Sequence, residues 1–343
     1  MKRIGVLTSG GDTPGMNAAI RAVFKTGVDI DLQVMGIYHG YKGLIEGRVG
    51  YLAHADVESK MHKGGTILRT ARSEEFKTEG GIEKAISVLR AYEIEGLIVI
   101  GGGIDGSFAG AQKLANLGVN TIGIPGTIDN DMGYTDFTIG FDTAVNNVMN
   151  EIYKIRDTMR AHDRVGVIEV MGRRCGDIAL WAGVAGAADI ILVPERPLSW
   201  ADAANRLAAN KLRGQLTSIV MIAEGAGKAE DFCEYVRKYT DVEIKATVLG
   251  YIQRGGNPSA FDRVLAAKMG QRAVELLADE AHMRGTDCAG SRTAENNDLR
   301  ENFGYAVGIR ENRIISVPLA EAVSTRDCFD DKLYDLNSVM AKF

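Results

Sequence analysis

The chain has 343 residues, 45% apolar and 25% charged, which fits a soluble globular protein and is long for one compact core. Its formal net charge of -5 argues against nucleic acid as the main partner, and no stretch approaches the ~20 apolar residues of a membrane span. A strand-like run follows Met1-Lys2-Arg3 at once, and Cys175, Cys233, Cys288 and Cys328 stand far apart without a CxxC pair, so a cytoplasmic protein with reduced thiols and no secretory signal is expected.

The first predicted element is a strand over 3–8, a β-branched apolar run broken by Gly10-Gly11-Asp12-Thr13-Pro14-Gly15. A helical pattern follows from 16 to about 28, and 33–38 reads as the next strand. Ile82, Ala85, Ile86 and Leu89 share one face at helical spacing, ahead of a wholly apolar strand at 97–100. Ser107 opens another helix, and 120–124 repeats the strand pattern after it. The alternation continues through strands at 164–170, 190–193, 218–223 and 242–249. Buried apolar strands separated by helices indicate an α/β protein with largely parallel sheet flanked by helices on both faces. The polar stretch 279–302 reads as a solvated surface insertion without chemistry.

In such sheets ligands bind at loops beyond the carboxyl ends of the strands, which selects 9–14, 101–107, 125–131 and 171–176. In Thr8-Ser9-Gly10-Gly11-Asp12 two glycines let backbone N–H groups reach a phosphate, although an ordinary βα turn has the same composition. Gly101, Gly103 and Gly106 satisfy the dinucleotide fingerprint G-x-G-x-x-G. Against that reading, the next strand ends in Pro125-Gly126 and not in an acid for a ribose, and Asp105 suits a phosphate only through a cation such as Mg²⁺. No G-x-x-x-x-G-K-[ST] loop occurs.

Pro125-Gly126-Thr127-Ile128-Asp129-Asn130-Asp131 is the sharpest feature, because phosphoryl transfer needs a base, a metal carboxylate and a positioning donor. Asp129, Asp131 and Thr127 offer all three, while a capping Asp-Asn-Asp turn is the plainer alternative. Met171-Gly172-Arg173-Arg174-Cys175-Gly176 sets a cation at a strand end, where a guanidinium can stabilise a phosphoryl group or form a surface ion pair. Arg164 and Arg254 add cations near loops, and Glu224 can accept from sugar hydroxyls or cap the next helix. The five histidines show no metal-ligand spacing.

Thr-Ser-Gly-Gly-Asp, Pro-Gly-Thr-Ile-Asp-Asn-Asp, Val-Met-Gly-Arg and Gln-Arg-Gly-Gly occur here in that order, and with them the chain resembles the ATP-dependent 6-phosphofructokinases over nearly its whole length. The resemblance implies two similar α/β lobes with the active site in the cleft between them. Residues 1–140 plus 253–303 would form a larger nucleotide-binding lobe, and 141–252 plus 304–343 a smaller sugar-phosphate-binding lobe. It also implies transfer of the ATP γ-phosphate to the 1-hydroxyl of fructose 6-phosphate, the committed step of glycolysis, with Mg²⁺ as cofactor in a homotetramer. Asp129 would be the base, Thr127 would hold the transferring group, and Arg173 with Gly11 would complete the catalytic set. Gly11, Tyr41, Arg72, Ser73, Gly106 and Ser107 would surround ATP, with Asp105 and Asp131 on Mg²⁺. Thr127, Asp129, Arg164, Met171, Gly172, Arg173, Glu224, Lys245, Tyr251 and Arg254 would contact the sugar phosphate, Arg164 from a neighbouring subunit. An effector site for ADP or phosphoenolpyruvate would use Arg21, Lys25, His54, Arg156, Asp189 and Arg213.

Several positions depart from the family pattern. Its usual loop Gly-Gly-Asp-Gly-Ser reads Gly-Gly-Gly-Ile-Asp-Gly-Ser here, two residues longer where nucleotide and metal meet. Lys245 stands for the usual Arg and Tyr251 for a common His, which implies weaker fructose 6-phosphate binding. In the effector cluster Lys25, His54, Asp189 and Gln215 replace Arg, Arg, Glu and Lys, which implies muted allostery. Pyrophosphate-using relatives carry an acid and a Lys where this chain has Gly106 and Gly126, so ATP is the expected donor. Two other functions remain open: a nicotinamide-dependent oxidoreductase, or a sugar-phosphate-binding or nucleotide-binding protein disabled by the longer loop.

Overall fold

A computed structural model describes residues 1–285, 304–324 and 329–341, apart from the side chains of 104, 105 and 280–285. Among them the strands are β1 (Arg3–Ser9), β2 (Gln33–Ile37), β3 (Val49–Tyr51), β4 (Gly96–Gly101), β5 (Asn120–Pro125), β6 (Val165–Val170), β7 (Ile190–Leu192), β8 (Ser218–Ala223), β9 (Ile244–Val248), β10 (Gly304–Arg310) and β11 (Arg313–Pro318). The chain divides into unit 1 (Met1–Thr127, Met132–Gly140 and Gly256–Arg326) and unit 2 (Ile128–Asp131, Phe141–Gly255 and Asp327–Phe343).

Unit 1 is built on a seven-stranded sheet of order β11-β10-β5-β4-β1-β2-β3, parallel except for the edge strands β11 and β3. The apolar centres of β1, β4 and β5 leave no room for polar side chains because both faces are covered. On one face Met16, Ile20 and Val23 of the helix Met16–Asp29 pack with Leu265, Met269 and Val274 of the helix Ala260–Gly285. On the other, Leu7 and Val99 meet Leu89, Phe108 and Tyr134. Each such fully buried side chain contributes about 1.5–3 kcal/mol, so these two layers fix the sheet from which the loops project.

Unit 2 has a four-stranded parallel sheet of order β7-β8-β6-β9. Val165, Ile190, Val220 and Ile222 pack on Phe232 and Val236 of the helix Ala229–Tyr239 and on Leu207 of the helix Trp200–Leu212. Ser199 starts the latter helix by accepting the Asp202 N–H at 3.1 Å.

The assignment of 304–326 to the smaller lobe is corrected by sheet pairing, whereas 327–343 fall in unit 2 as expected. β10 lies parallel to β5, with Gly304 opposite Thr121, and antiparallel to β11, so both strands belong to the unit 1 sheet. Glu311 and Asn312 turn the hairpin with φ of 50° and 61°, the left-handed pair that a two-residue hairpin favours. That turn between apolar runs was the available signal, and the parallel βα pattern masked it. Of the expected insertion at 279–302, the helix Ala260–Gly285 covers the start, and 286–303 lie outside the described residues. Cys288 and Cys328 lie outside them as well. No described helix is long and apolar enough to cross a membrane.

Candidate active site

In unit 1 the strand register brings three loops to one level. Ser9 pairs with Gly101, and Gly101 with Pro125, so β1, β4 and β5 end side by side. Their turns approach closely: a Cβ on Gly102 would fall 2.2 Å from Thr127 Cβ, so only glycine fits there. Gly10 has φ of 83°, and its carbonyl accepts the Thr70 hydroxyl at 2.8 Å. Thr127 is buried, and its carbonyl accepts from Thr138 at 2.7 Å.

The longer glycine loop is absorbed locally. Gly103–Phe108 forms a π-helical turn ahead of the helix Ala109–Asn116, a common way for a helix to take up inserted residues at a functional site. Tyr41 stacks on Phe76 with centroids 4.0 Å apart and donates to the Ser107 carbonyl at 2.6 Å. It is 5% exposed, so it braces this turn from the core. The Ser107 hydroxyl is buried and has no hydrogen-bond partner. A Cβ on Gly106 would meet nothing within 4 Å, whereas one on Gly126 would touch Ile100 and Met16. Arg72 is exposed, and the Ser73 hydroxyl accepts the Phe76 N–H at 3.2 Å.

In unit 2 the charged residues gather. Asp129 is 5% exposed, and Arg173 Nε lies 3.5 Å from its Oδ2. Burial, then the Asp131 charge, pushes the Asp129 carboxyl up to about 6, against the pull of Arg173 and Arg254. Arg173 has φ of 55°, and its turn is pinned by side chains from elsewhere in the unit. Gln253 accepts the Met171 N–H at 3.0 Å, Glu224 the Arg173 N–H at 2.7 Å, and Glu195 the Gly176 N–H at 2.7 Å. A Cβ on Gly172 would meet the Cys175 carbonyl at 2.2 Å, so the turn needs its glycine. Gln253 and Glu195 as braces escaped the sequence reading, because they act through backbone groups far away in sequence.

The other sugar-phosphate candidates are spread over unit 2. Arg164 Nε meets Glu243 at 2.7 Å, Arg254 stacks over the Tyr251 ring at 5.7 Å, and Lys245 is an exposed residue of β9. The geometry thus brings Asp129, Arg173, Glu224 and Arg254 into mutual influence.

A family model described as Phosphofructokinase matches residues 3–277. The chain belongs to the phosphofructokinase family. It is 51% identical over 341 residues to an ATP-dependent 6-phosphofructokinase of Clostridium tetani and 49% identical over 341 to one of Clostridium novyi, covering 99% of this chain and 100% of each relative. The structure of phosphofructokinase from Saccharomyces cerevisiae superposes with a TM-score of 0.83 at 34% identity. The match covers 94% of this chain, which spans 45% of that yeast chain. A pyrophosphate-dependent phosphofructokinase of Marinobacter aquaeolei, TM-score 0.79 at 22% identity, shares the fold over 96% of this chain and 86% of its own.

Phosphofructokinase-family chemistry calls for a divalent cation. The Asp131 charge raises the Asp129 carboxyl, a mutual repulsion that a hard cation relieves, and Mg²⁺ needs only one or two carboxylates beside phosphate oxygens. The residues present therefore fit it. The side chain of Asp105, the other expected ligand, lies outside the described residues.

The effector candidates divide between the units. In unit 1 Arg21 and Lys25 lie one turn apart on the helix Met16–Asp29, and Lys25 Nζ stands 3.0 Å from His54 Nδ1. In unit 2 Arg156 donates to the carbonyls of Gly186 and Ala187, and Asp189 accepts from Ile219 N–H at 2.7 Å and Gln215 at 2.5 Å. Asp189 and Arg213 also line a cavity of about 540 Å³ with Arg206 and Tyr334.

Proposed function

We propose that the chain is an ATP-dependent 6-phosphofructokinase that moves the ATP γ-phosphate to the 1-hydroxyl of fructose 6-phosphate in glycolysis. The observation that carries this reading is the buried Asp129 carboxylate beside Arg173, with its pKa raised to about 6. A general base works best with a pKa near the operating pH, and burial supplies that shift. Asp129 takes the hydroxyl proton as the oxygen bonds to the γ-phosphorus, the bond from that phosphorus to the β,γ-bridging oxygen breaks and ADP leaves, and Arg173 stabilises the charge on the transferring group. Thr127 and the N–H groups at Gly11 position that group, and the Ser107 hydroxyl has capacity left for nucleotide phosphate.

Arg72, Ser73 and Gly106 complete the ATP contacts, with Tyr41 supporting them from the core. Space at Gly106 favours ATP over pyrophosphate, since nothing among the described residues requires glycine there. Met171, Gly172, Glu224, Lys245, Tyr251 and Arg254 contact the sugar phosphate, with Arg164 supplied across a subunit boundary in a cytoplasmic homotetramer. Asp131 and Asp105 would hold Mg²⁺, which would neutralise charge on the ATP phosphates. ADP or phosphoenolpyruvate acts only weakly through Arg21, Lys25, His54, Arg156, Asp189 and Arg213.

The test is fructose 1,6-bisphosphate formation with Mg²⁺ and either ATP or pyrophosphate, beside Asp129→Ser. Turnover with ATP alone is expected, reduced by on the order of 10²–10⁴ or more in the variant. Turnover with pyrophosphate, or none with either donor in a folded protein, would overturn the reading.

A further inference from the structure

Arg173 is not the sole link between its segment and the Asp129 loop. Four residues on, Asp177 opens the helix Asp177–Ala185, is 4% exposed, and accepts the Asn130 Nδ2–H at 2.9 Å. Asn130 lies between Asp129 and Asp131 and holds φ of 54°. That left-handed backbone is unfavourable for most residues other than glycine, and asparagine is among the few that tolerate it. The segment from Arg173 to Asp177 therefore grips the loop twice, at Asp129 by charge and at Asn130 by hydrogen bond. The segment itself is fixed, because Glu224 and Glu195 hold the N–H groups of Arg173 and Gly176.

We propose that Asp177 is a positioning residue for phosphoryl transfer: by holding the Asn130 amide it fixes the left-handed turn that keeps Asp129 against Arg173. This role rests on the kinase reading above, with Asp129 as base. A catalytic group displaced by about 1 Å loses on the order of 10²-fold in rate, so a single hydrogen bond at this point has a large lever. Asp177 touches neither phosphate nor sugar in this role, and its loss should leave substrate affinity alone.

The experiment is a double-mutant cycle in steady-state kinetics, with folding followed by circular dichroism. Asp177→Ala is expected to lower kcat roughly 10- to 100-fold with both KM values within about 3-fold. Asp177→Asn keeps an oxygen that accepts from Asn130 and should restore most of that kcat. Asn130→Gly tolerates the left-handed backbone while deleting the amide, and should lose as much as Asp177→Ala. The double variant should lose no more than either single one, because both remove one interaction.

A folded Asp177→Ala with kcat within about 2-fold of wild type would overturn the proposal, as would losses that multiply in the double variant. If Asp177→Ala fails to fold, Asn130→Gly decides: unchanged kcat overturns the role and a matching loss supports it. An inactive wild type would overturn the kinase reading and the positioning role with it, whereas an active wild type with unaffected variants overturns positioning alone.

Discussion

Arg156 and Arg173 are both arginines of unit 2 expected to meet phosphate, yet the unit uses them in opposite ways. Arg156 donates to the carbonyls of Gly186 and Ala187, which close the turn after the helix Asp177–Ala185. Arg173 is held by its backbone, through Glu224, while its side chain stays 57% exposed and faces Asp129. Asp189 and Asp129 repeat the contrast. Asp189 accepts from a backbone N–H and from Gln215, whereas Asp129 sits beside another carboxylate and takes a raised pKa. Charge spent on the lobe's own backbone braces the fold; charge held in place with its head turned outward is available for chemistry.

The largest expected effect tests that contrast. Arg173→Ala should cut kcat by on the order of 10²–10³ with stability within about 0.5 kcal/mol of wild type, as for the loss of one oriented donor from an exposed position. Arg156→Ala should keep kcat within about 3-fold and lose about 1–3 kcal/mol, because two carbonyls lose their donor. Kinetics and thermal unfolding on both variants check the pair. An Arg156→Ala enzyme as slow as Arg173→Ala would break the comparison.

The second effect is on stability against pH. Burial raises Asp177 from 3.8 to about 7, with Glu195 and Asp330 adding to the rise and hydrogen bonds from Asn130 and Cys175 opposing it. The folded state thus holds this proton more tightly than the unfolded chain does. Its stabilisation is full below about 4 and is lost as pH rises to about 7. Asp177→Asn, which cannot ionise, should flatten the decline, gaining on the order of 3 kcal/mol relative to wild type between pH 4 and pH 8. Parallel unfolding curves for the two proteins across that range would show that the carboxyl stays ionised in the fold.

What was legible in the sequence follows from how local each signal is. Ser9–Asp12, Thr127–Asp131 and Met171–Gly176 are contiguous runs at strand ends, so composition alone marked them. The parallel strands β1, β4, β5, β6 and β8 are legible because burial on both faces makes their central residues apolar. Tyr41 stands among the expected nucleotide contacts, but sequence does not distinguish an aromatic ring in a ligand site from one stacked on Phe76 in the core. Gln253, Glu195 and Asp177 were invisible for a related reason: each acts on a backbone N–H or an amide 19 to 82 residues away. The π-helical turn at Gly103–Phe108 also needed three dimensions, since an insertion in sequence does not say whether it loops outward or winds into a helix.

A smaller effect is expected at the sugar-phosphate end. Lys245 lies on β9 opposite Gly166, exposed and able to offer a point charge where Arg would offer a planar fork. Lys245→Arg should lower the KM for fructose 6-phosphate by about 3- to 10-fold, the worth of one added charge-assisted hydrogen bond, with kcat unchanged. A KM equal to that of wild type would show that this position does not set sugar-phosphate affinity.

The smallest expected effect is regulatory. Linkage requires an effector to bind one state better than another, and 1 kcal/mol of such preference shifts half-saturation only about 5-fold. Here Lys25 spends a donor on His54 Nδ1, Asp189 has both carboxylate oxygens accepting, and Arg156 is committed to two carbonyls. Those bonds hold the three side chains in one arrangement, which leaves little differential energy for changing state. ADP or phosphoenolpyruvate should therefore move the half-saturating fructose 6-phosphate concentration by less than about 2-fold, on a curve close to hyperbolic. A strongly sigmoidal curve made hyperbolic by ADP would show that these charges are released between two states, and the brace assigned to Arg156 would then be a switch.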